Sequence, residues 1–271
     1  MDDEYKAARL LRALKRAGTR APHCLAAVRQ IVIFMSAALP DLLPLLPSCG
    51  GGVTHLAIRP PNGYPSMWRQ LPGLLACLPH LQRLVVPFVD VFPDPFPHSD
   101  NSANFQPALP HVTHLALLDA GTFEAQADLQ RMLAFFRALP ALTHLALMIH
   151  GSNRRTPEDM LGVFAALLDR RELPGLRVLA CLGPGTYETA VMARRLELAD
   201  PGPYLPGKDT GSPLRDARFV VVDYGSWLDG ADLPGLRTYW DMADTFVAKK
   251  VTGQIASSVV LVHPSSTGGE Y

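Results

Sequence analysis

The chain is short of charge, of cysteine and of long hydrophobic runs, and each shortage excludes something. Charged residues make up 18% of the 271 positions and hydrophobic residues 48%. That is too little charge for a disordered chain and enough apolar material for a continuous core. Lys plus Arg and Asp plus Glu each number 25, so the formal net charge is zero. A neutral chain exerts no overall pull on nucleic acid or on an anionic membrane, and only a local basic patch is left open. The 4 cysteines, Cys24, Cys49, Cys77 and Cys181, are not paired at metal-ligand or redox-motif spacing. They read as free thiols of a reducing compartment, with Cys77 and Cys181 set in apolar stretches.

The best candidate for a membrane span, residues 31–39, is closed by Pro40 and Asp41 and falls well short of the roughly 20 residues that cross a bilayer. Asp2, Asp3 and Glu4 argue against a secretory signal. Residues 5–20 are basic and amphipathic, which suits an N-terminal helix with a solvated basic face or a mitochondrial presequence; the acidic start favours the helix. A cytoplasmic or nuclear protein is expected. Chemistry-bearing motifs are missing as well. There is no Gly-x-Ser-x-Gly, and Asp223, Asp229 and Asp232 lack calcium-loop spacing. Gly183-Pro184-Gly185-Thr186 joins a strand to a helix, yet Glu188 stands where a dinucleotide fingerprint needs its third glycine, and no Gly-Lys-Ser/Thr follows. It reads as a plain turn.

What is present is a repeat. Leu139-Pro140-Ala141-Leu142-Thr143-His144-Leu145-Ala146-Leu147 is its fullest copy, and Leu109-Pro110-His111-Val112-Thr113-His114-Leu115-Ala116-Leu117 is nearly the same. Shorter copies carry Thr54-His55-Leu56-Ala57, Gln82-Arg83-Leu84-Val85 and Arg177-Val178-Leu179-Ala180. Leu56, Leu84, Leu115, Leu145 and Leu179 stand about 30 residues apart, a period that belongs to stacked units burying their apolar faces against one another. Each unit reads as a helix, a Leu-Pro turn and a short apolar strand. Strands are expected at 54–58, 82–86, 113–117, 143–147, 177–181 and 218–222, and helices over 66–78, 123–139, from Thr156-Pro157 onward, and over 233–250. Helix alternating with strand predicts a parallel sheet in sequential order with helices on one face. The Pro-rich stretch 87–110 and the Pro/Gly-rich stretch 200–213 are expected as irregular connections.

The Leu-x-x-Leu-x-Leu core of these copies resembles the leucine-rich repeat over roughly residues 45–225. Within that superfamily the Leu-Pro-x-Leu-Thr-His-Leu-Ala-Leu wording resembles a group of fungal F-box and leucine-rich-repeat-like proteins. The segment Asp223-Tyr224-Gly225-Ser226-Trp227, followed by Tyr239-Trp240-Asp241-Met242, is similar to their closing segment. The resemblance implies an irregular leucine-rich-repeat α/β solenoid used for protein binding. Where that family places Asn or Cys to ladder its turn, this chain has Pro61, Ala120, His150 and Pro184, which puts a regular horseshoe in doubt. The expected organisation is an N-terminal helical cap at 1–48, the solenoid at 49–225, a C-terminal capping helix within 226–256 and a flexible tail at 257–271.

His55, His114 and His144 share one repeat position, in register with Arg83 and Val178. Strand alternation puts them opposite the leucines, on the open face of the sheet. A metal shared by neighbouring histidines lacks an evident third ligand, so hydrogen bonding to threonine or backbone is the expected role. Two residues on, Ala57, Ala116, Ala146 and Ala180 form a small apolar row. With His55, Arg83, His114 and His144 they make the candidate interaction face, unless the C-terminal segment covers it. No catalytic residue, metal or cofactor is expected. The expected function is a non-catalytic scaffold for a protein partner, binding neither nucleic acid nor membrane. An F-box-type substrate receptor of a ubiquitin ligase and a small α/β hydrolase using His144 or His150 are the alternatives.

Overall fold

The computed structural model describes residues 27–34, 49, 51–59, 71–87, 109–118, 125–148, 157–183, 185–199, 212–223 and 238–262. Residues 5–20, the repeat positions Pro61, Ala120, His150 and Pro184, and most of the connections 87–110 and 200–213 lie outside them. The strands are β1 Gln30–Phe34, β2 His55–Arg59, β3 Arg83–Pro87, β4 His114–Leu118, β5 His144–Met148, β6 Val178–Gly183, β7 Phe219–Asp223 and β8 Leu261–Val262. The helices are α1 Leu71–Ala76, α2 Ala125–Arg137, α3 Pro157–Leu168, α4 Thr186–Ala199 and α5 Tyr239–Val251. All six expected strands are found, each starting one residue later than read from the sequence. The fold is α/β with a parallel sheet.

The chain divides into two compact units, one of residues 1–114 with 139–141 and one of 115–138 with 142–271, where the repeat had suggested a single domain. In the first unit β1, β2 and β3 lie side by side and parallel, His55 opposite Arg83 and Leu56 opposite Leu84. In the second, β5, β6, β7 and β8 do the same, Leu145 opposite Leu179 and Leu179 opposite Phe219. Two boundaries are corrected here. Gln30–Phe34, assigned to a helical cap, is a strand paired with β2. The stretch after 257, expected as a flexible tail, includes buried Val260 and the short β8 at the edge of β7.

The Leu-Pro-x-Leu signature has a local cause. In three copies the first leucine's carbonyl accepts from the amide three residues on: Leu81 to Leu78 at 3.2 Å, Val112 to Leu109 at 3.4 Å and Leu176 to Leu173 at 3.1 Å. Proline's fixed φ suits the second position of such a turn, and the flanking apolar residues are buried beneath it. The helix α5 starts with a capping box, in which Asp241 N–H donates to Thr238 Oγ1 at 3.2 Å and Thr238 N–H donates to Asp241 Oδ2 at 2.8 Å. It is closed by Gly253 at φ 72°, a conformation that suits glycine.

The second unit has helices on both faces of its sheet, which corrects the expectation of one face. Phe164 of α3 lies 4.9 Å, ring to ring, from Phe219, and Met192 of α4 receives the Cys181 thiol at 3.5 Å. Phe219 and Cys181 share the leucine face. The helix α5 packs on β6 and β7 from the other side, where His144 meets Asp244. Right-handed crossovers between sequentially ordered strands keep their helices on one side. α5 departs from that rule.

The central leucines Leu56, Leu84, Leu115, Leu145 and Leu179 are all 0–1% exposed. The repeat pattern alone suggests that Leu56, in the first expected strand, matters less than Leu145. With β1 beside it, Leu56 has strand neighbours on both sides. Leu56→Ala and Leu145→Ala should therefore each cost about 2–5 kcal/mol in urea melts. A loss under about 1 kcal/mol for Leu56→Ala would show that β1 does not close that edge of the core.

Candidate functional site

Thr54 and Thr113 each sit one residue before a strand and tie it to the previous rung. Arg29 carbonyl accepts from Thr54 N–H at 2.8 Å, His55 N–H at 3.2 Å and the Thr54 hydroxyl at 3.2 Å. Gln82 carbonyl is used in the same way by Thr113 N–H, His114 N–H and the Thr113 hydroxyl. The next rung in the second unit repeats the backbone part, with Arg177 and Val178 amides on Thr143 carbonyl. These bonds hold the leading ends of β2, β4 and β6.

The histidines lean on the same threonines. Nδ1 to Oγ1 distances are 2.8 Å for His55–Thr54, 2.8 Å for His114–Thr113 and 2.7 Å for His144–Thr143. A hydroxyl has one proton, and at Thr54 and Thr113 it goes to the carbonyl, so the imidazole Nδ1–H donates to Oγ1. His55, Arg83 and His114 are half-buried, whereas His144 is buried.

His144 differs in a further way. Its Nε2 lies 2.9 Å from Asp244 Oδ1 on α5, and its ring meets Trp240 edge-on at 5.7 Å. A carboxylate only accepts, so Nε2–H donates. Trp240 and Asp244 are four residues apart on one face of α5 and together clamp the imidazole. The order carboxylate, imidazole, hydroxyl is that of a hydrolytic triad, which also engages both ring nitrogens, but the His144 side chain is only 7% exposed.

The alanine row is no open floor. Ala57 is 5% exposed, and Ala116, Ala146 and Ala180 are each 0% exposed. The register does align Ala57 with Val85 and Ala146 with Ala180, as expected, but in the second unit α5 packs on this side. In the second unit the candidate interaction face is thus covered by α5, the case the sequence left open. Sequence reasoning missed Asp244 and Trp240 as partners of His144, because nothing local marks a contact spanning 100 residues.

At the opposite ends of the strands, Gly185 turns the chain at φ 108° and Thr186 opens α4. A side chain at Gly183 would run into Thr189, whose Cα stands 2.7 Å from where a Cβ would be, so glycine allows the close helix–strand approach. The Thr186 hydroxyl donates to Asp223 Oδ2 at 2.5 Å. A carboxylate thus stands where a phosphate-binding loop would need its anion. Among the described residues, no group of three His, Cys, Asp or Glu side chains could hold a metal, and no helix is long and apolar enough to cross a membrane. Burial raises the pKa of the Cys49 and Cys181 thiols, which leaves them poor nucleophiles.

One further titratable group is buried. Lys250 is 5% exposed and donates from Nζ to Phe219 carbonyl at 2.8 Å. Burial brings its pKa down to about 8, with Asp216 pulling the other way. A base with a lowered folded pKa holds fewer protons folded than unfolded between about 8 and 10.5, so stability rises with pH across that window. Relative to Lys250→Met, the wild type should gain on the order of 3 kcal/mol from pH 7 to pH 10.5. Parallel pH profiles for the two proteins would contradict this.

Neither a protein-family model nor a curated protein matches the chain.

Proposed function

We propose that the chain is a leucine-rich-repeat-like scaffold that binds a protein partner and performs no catalysis of its own. The observation that carries this reading is the recurrence of the Thr–His pair at Thr54–His55, Thr113–His114 and Thr143–His144. A catalytic constellation is built once, whereas a pair found at three of the five copies belongs to the repeat itself. His144, which also meets a carboxylate, is closed over by α5.

The test compares binding with turnover. Proximity labelling in the native cell should yield a partner that forms a saturable complex with the purified chain by calorimetry. A panel of ester, thioester and amide substrates should show no hydrolysis that His144→Gln removes. Turnover that depends on His144 would overturn the scaffold reading in favour of a hydrolase.

A further inference from the structure

We propose that the leading edge of the second unit's sheet, where α3 ends and β6 and β7 begin, is a docking surface for an acidic segment of a protein partner. The inference deepens the scaffold reading and rests on it. Arg218 fixes the geometry of this edge. Its Nε and Nη2 form a fork on Asp216, at 2.9 and 2.7 Å, while Nη1 reaches Leu176 carbonyl at 3.3 Å and Nη2 also reaches Leu168 carbonyl. One guanidinium thus gathers the end of α3, the start of β6 and the start of β7.

Four other arginines stand within three residues of those anchor points: Arg170 and Arg171 after α3, Arg177 before β6 and Arg215 in the turn before β7. All four are exposed. Among the described residues, three acids lie near these arginines, fewer than the basic groups around them, and each has a contact of its own. Asp216 holds Arg218, Asp169 accepts from Arg171 N–H at 2.8 Å, and Glu172 pairs with Arg137. The result is a local excess of positive charge on a chain whose net charge is zero. Like charges gathered on a surface repel, and an anionic partner relieves that cost. Two aliphatic side chains adjoin the edge where α5 ends and β8 begins, Val251 at 70% and Val259 at 43% exposed.

The chemistry favours carboxylates on a peptide. Guanidinium forks match carboxylates two bonds at a time, and exposed valines suit an apolar side chain between the acids. Single-stranded nucleic acid binds on aromatic platforms beside basic grooves. Among the described residues, the large exposed aromatic is Tyr187, at the start of α4 on the far edge of the sheet.

Fluorescence anisotropy with the full chain tests the proposal, using a labelled peptide of glutamates interspersed with leucines, an oligothymidylate of equal charge, and phosphatidylserine vesicles. The peptide should bind, more weakly as salt rises, and the combined variant Arg170→Glu, Arg177→Glu, Arg215→Glu should lose at least about tenfold in affinity. If that variant melts early, the glutamine triple should show a loss in the same direction. Equal peptide binding by a folded variant, no binding by the wild type, or preference for oligothymidylate or vesicles would overturn the docking surface. A partner complex that survives the charge reversal would leave the scaffold reading standing and remove only this surface.

Discussion

Ala146→Arg should unfold the protein or cost it about 4 kcal/mol or more. Ala146 is 0% exposed on β5, one pleat from His144, and its Cα partner Ala180 is equally buried. Arginine there forces a long, charged side chain into a filled layer. The overpacking alone costs about 1–3 kcal/mol, and burying a charge adds to it. Had the alanine row been an exposed floor, the same substitution would have changed binding and left stability alone. Ala134→Arg, on the exposed side of α2, is the control and should melt with the wild type. A folded Ala146→Arg with an unchanged melting temperature would mean that this face is open after all.

Arg218→Ala should cost about 3–5 kcal/mol, because it strips the partner from a half-buried carboxylate and from two backbone carbonyls at once. Arg218→Lys keeps the charge but not the fork, and should fall between the two. The pH dependence carries a sign. Burial pushes the Asp216 carboxyl up, but hydrogen bonds and charge from Arg218, with Arg170 behind it, outweigh burial and hold it below the usual value of 3.8. An acid with a lowered folded pKa adds stability that is fully present above its unfolded value and lost as pH falls through the folded one. The gap between wild type and Arg218→Ala should therefore be constant near neutrality and narrow below about pH 4. A gap that widens in acid would show that the fork on Asp216 is not the source of the stability.

What could be read in the sequence, and what could not, divides along physical lines. The strands at His55, Arg83, His114, His144, Val178 and Phe219 announce themselves because each is a short apolar run between turn residues, and five share one wording. β1 has no Leu-Pro-x-Leu lead-in, so Gln30–Phe34 passed for part of a helical cap. β8, at two residues, is too short to carry a pattern. The helix α5 was legible from its periodicity, but its side of the sheet was not. That choice involves long-range contacts such as Asp244 with His144, which no local pattern encodes. For the same reason the sequence placed the histidines and alanines opposite the leucines but left open whether α5 covers them. The arginine edge escaped notice because its members are scattered along the sequence and meet only through the Arg218 contacts.

The most direct measurement of this account is a double-mutant cycle on His144 and Asp244, with both single alanine variants, the pair and the wild type unfolded in urea. If α5 is clamped to the sheet through this contact, the cycle should return a coupling of about 1–2 kcal/mol, modest because the Asp244 side chain is 49% exposed. Losses that add within about 0.3 kcal/mol would show that the two residues do not act together, and the covered histidine face would lose its keystone.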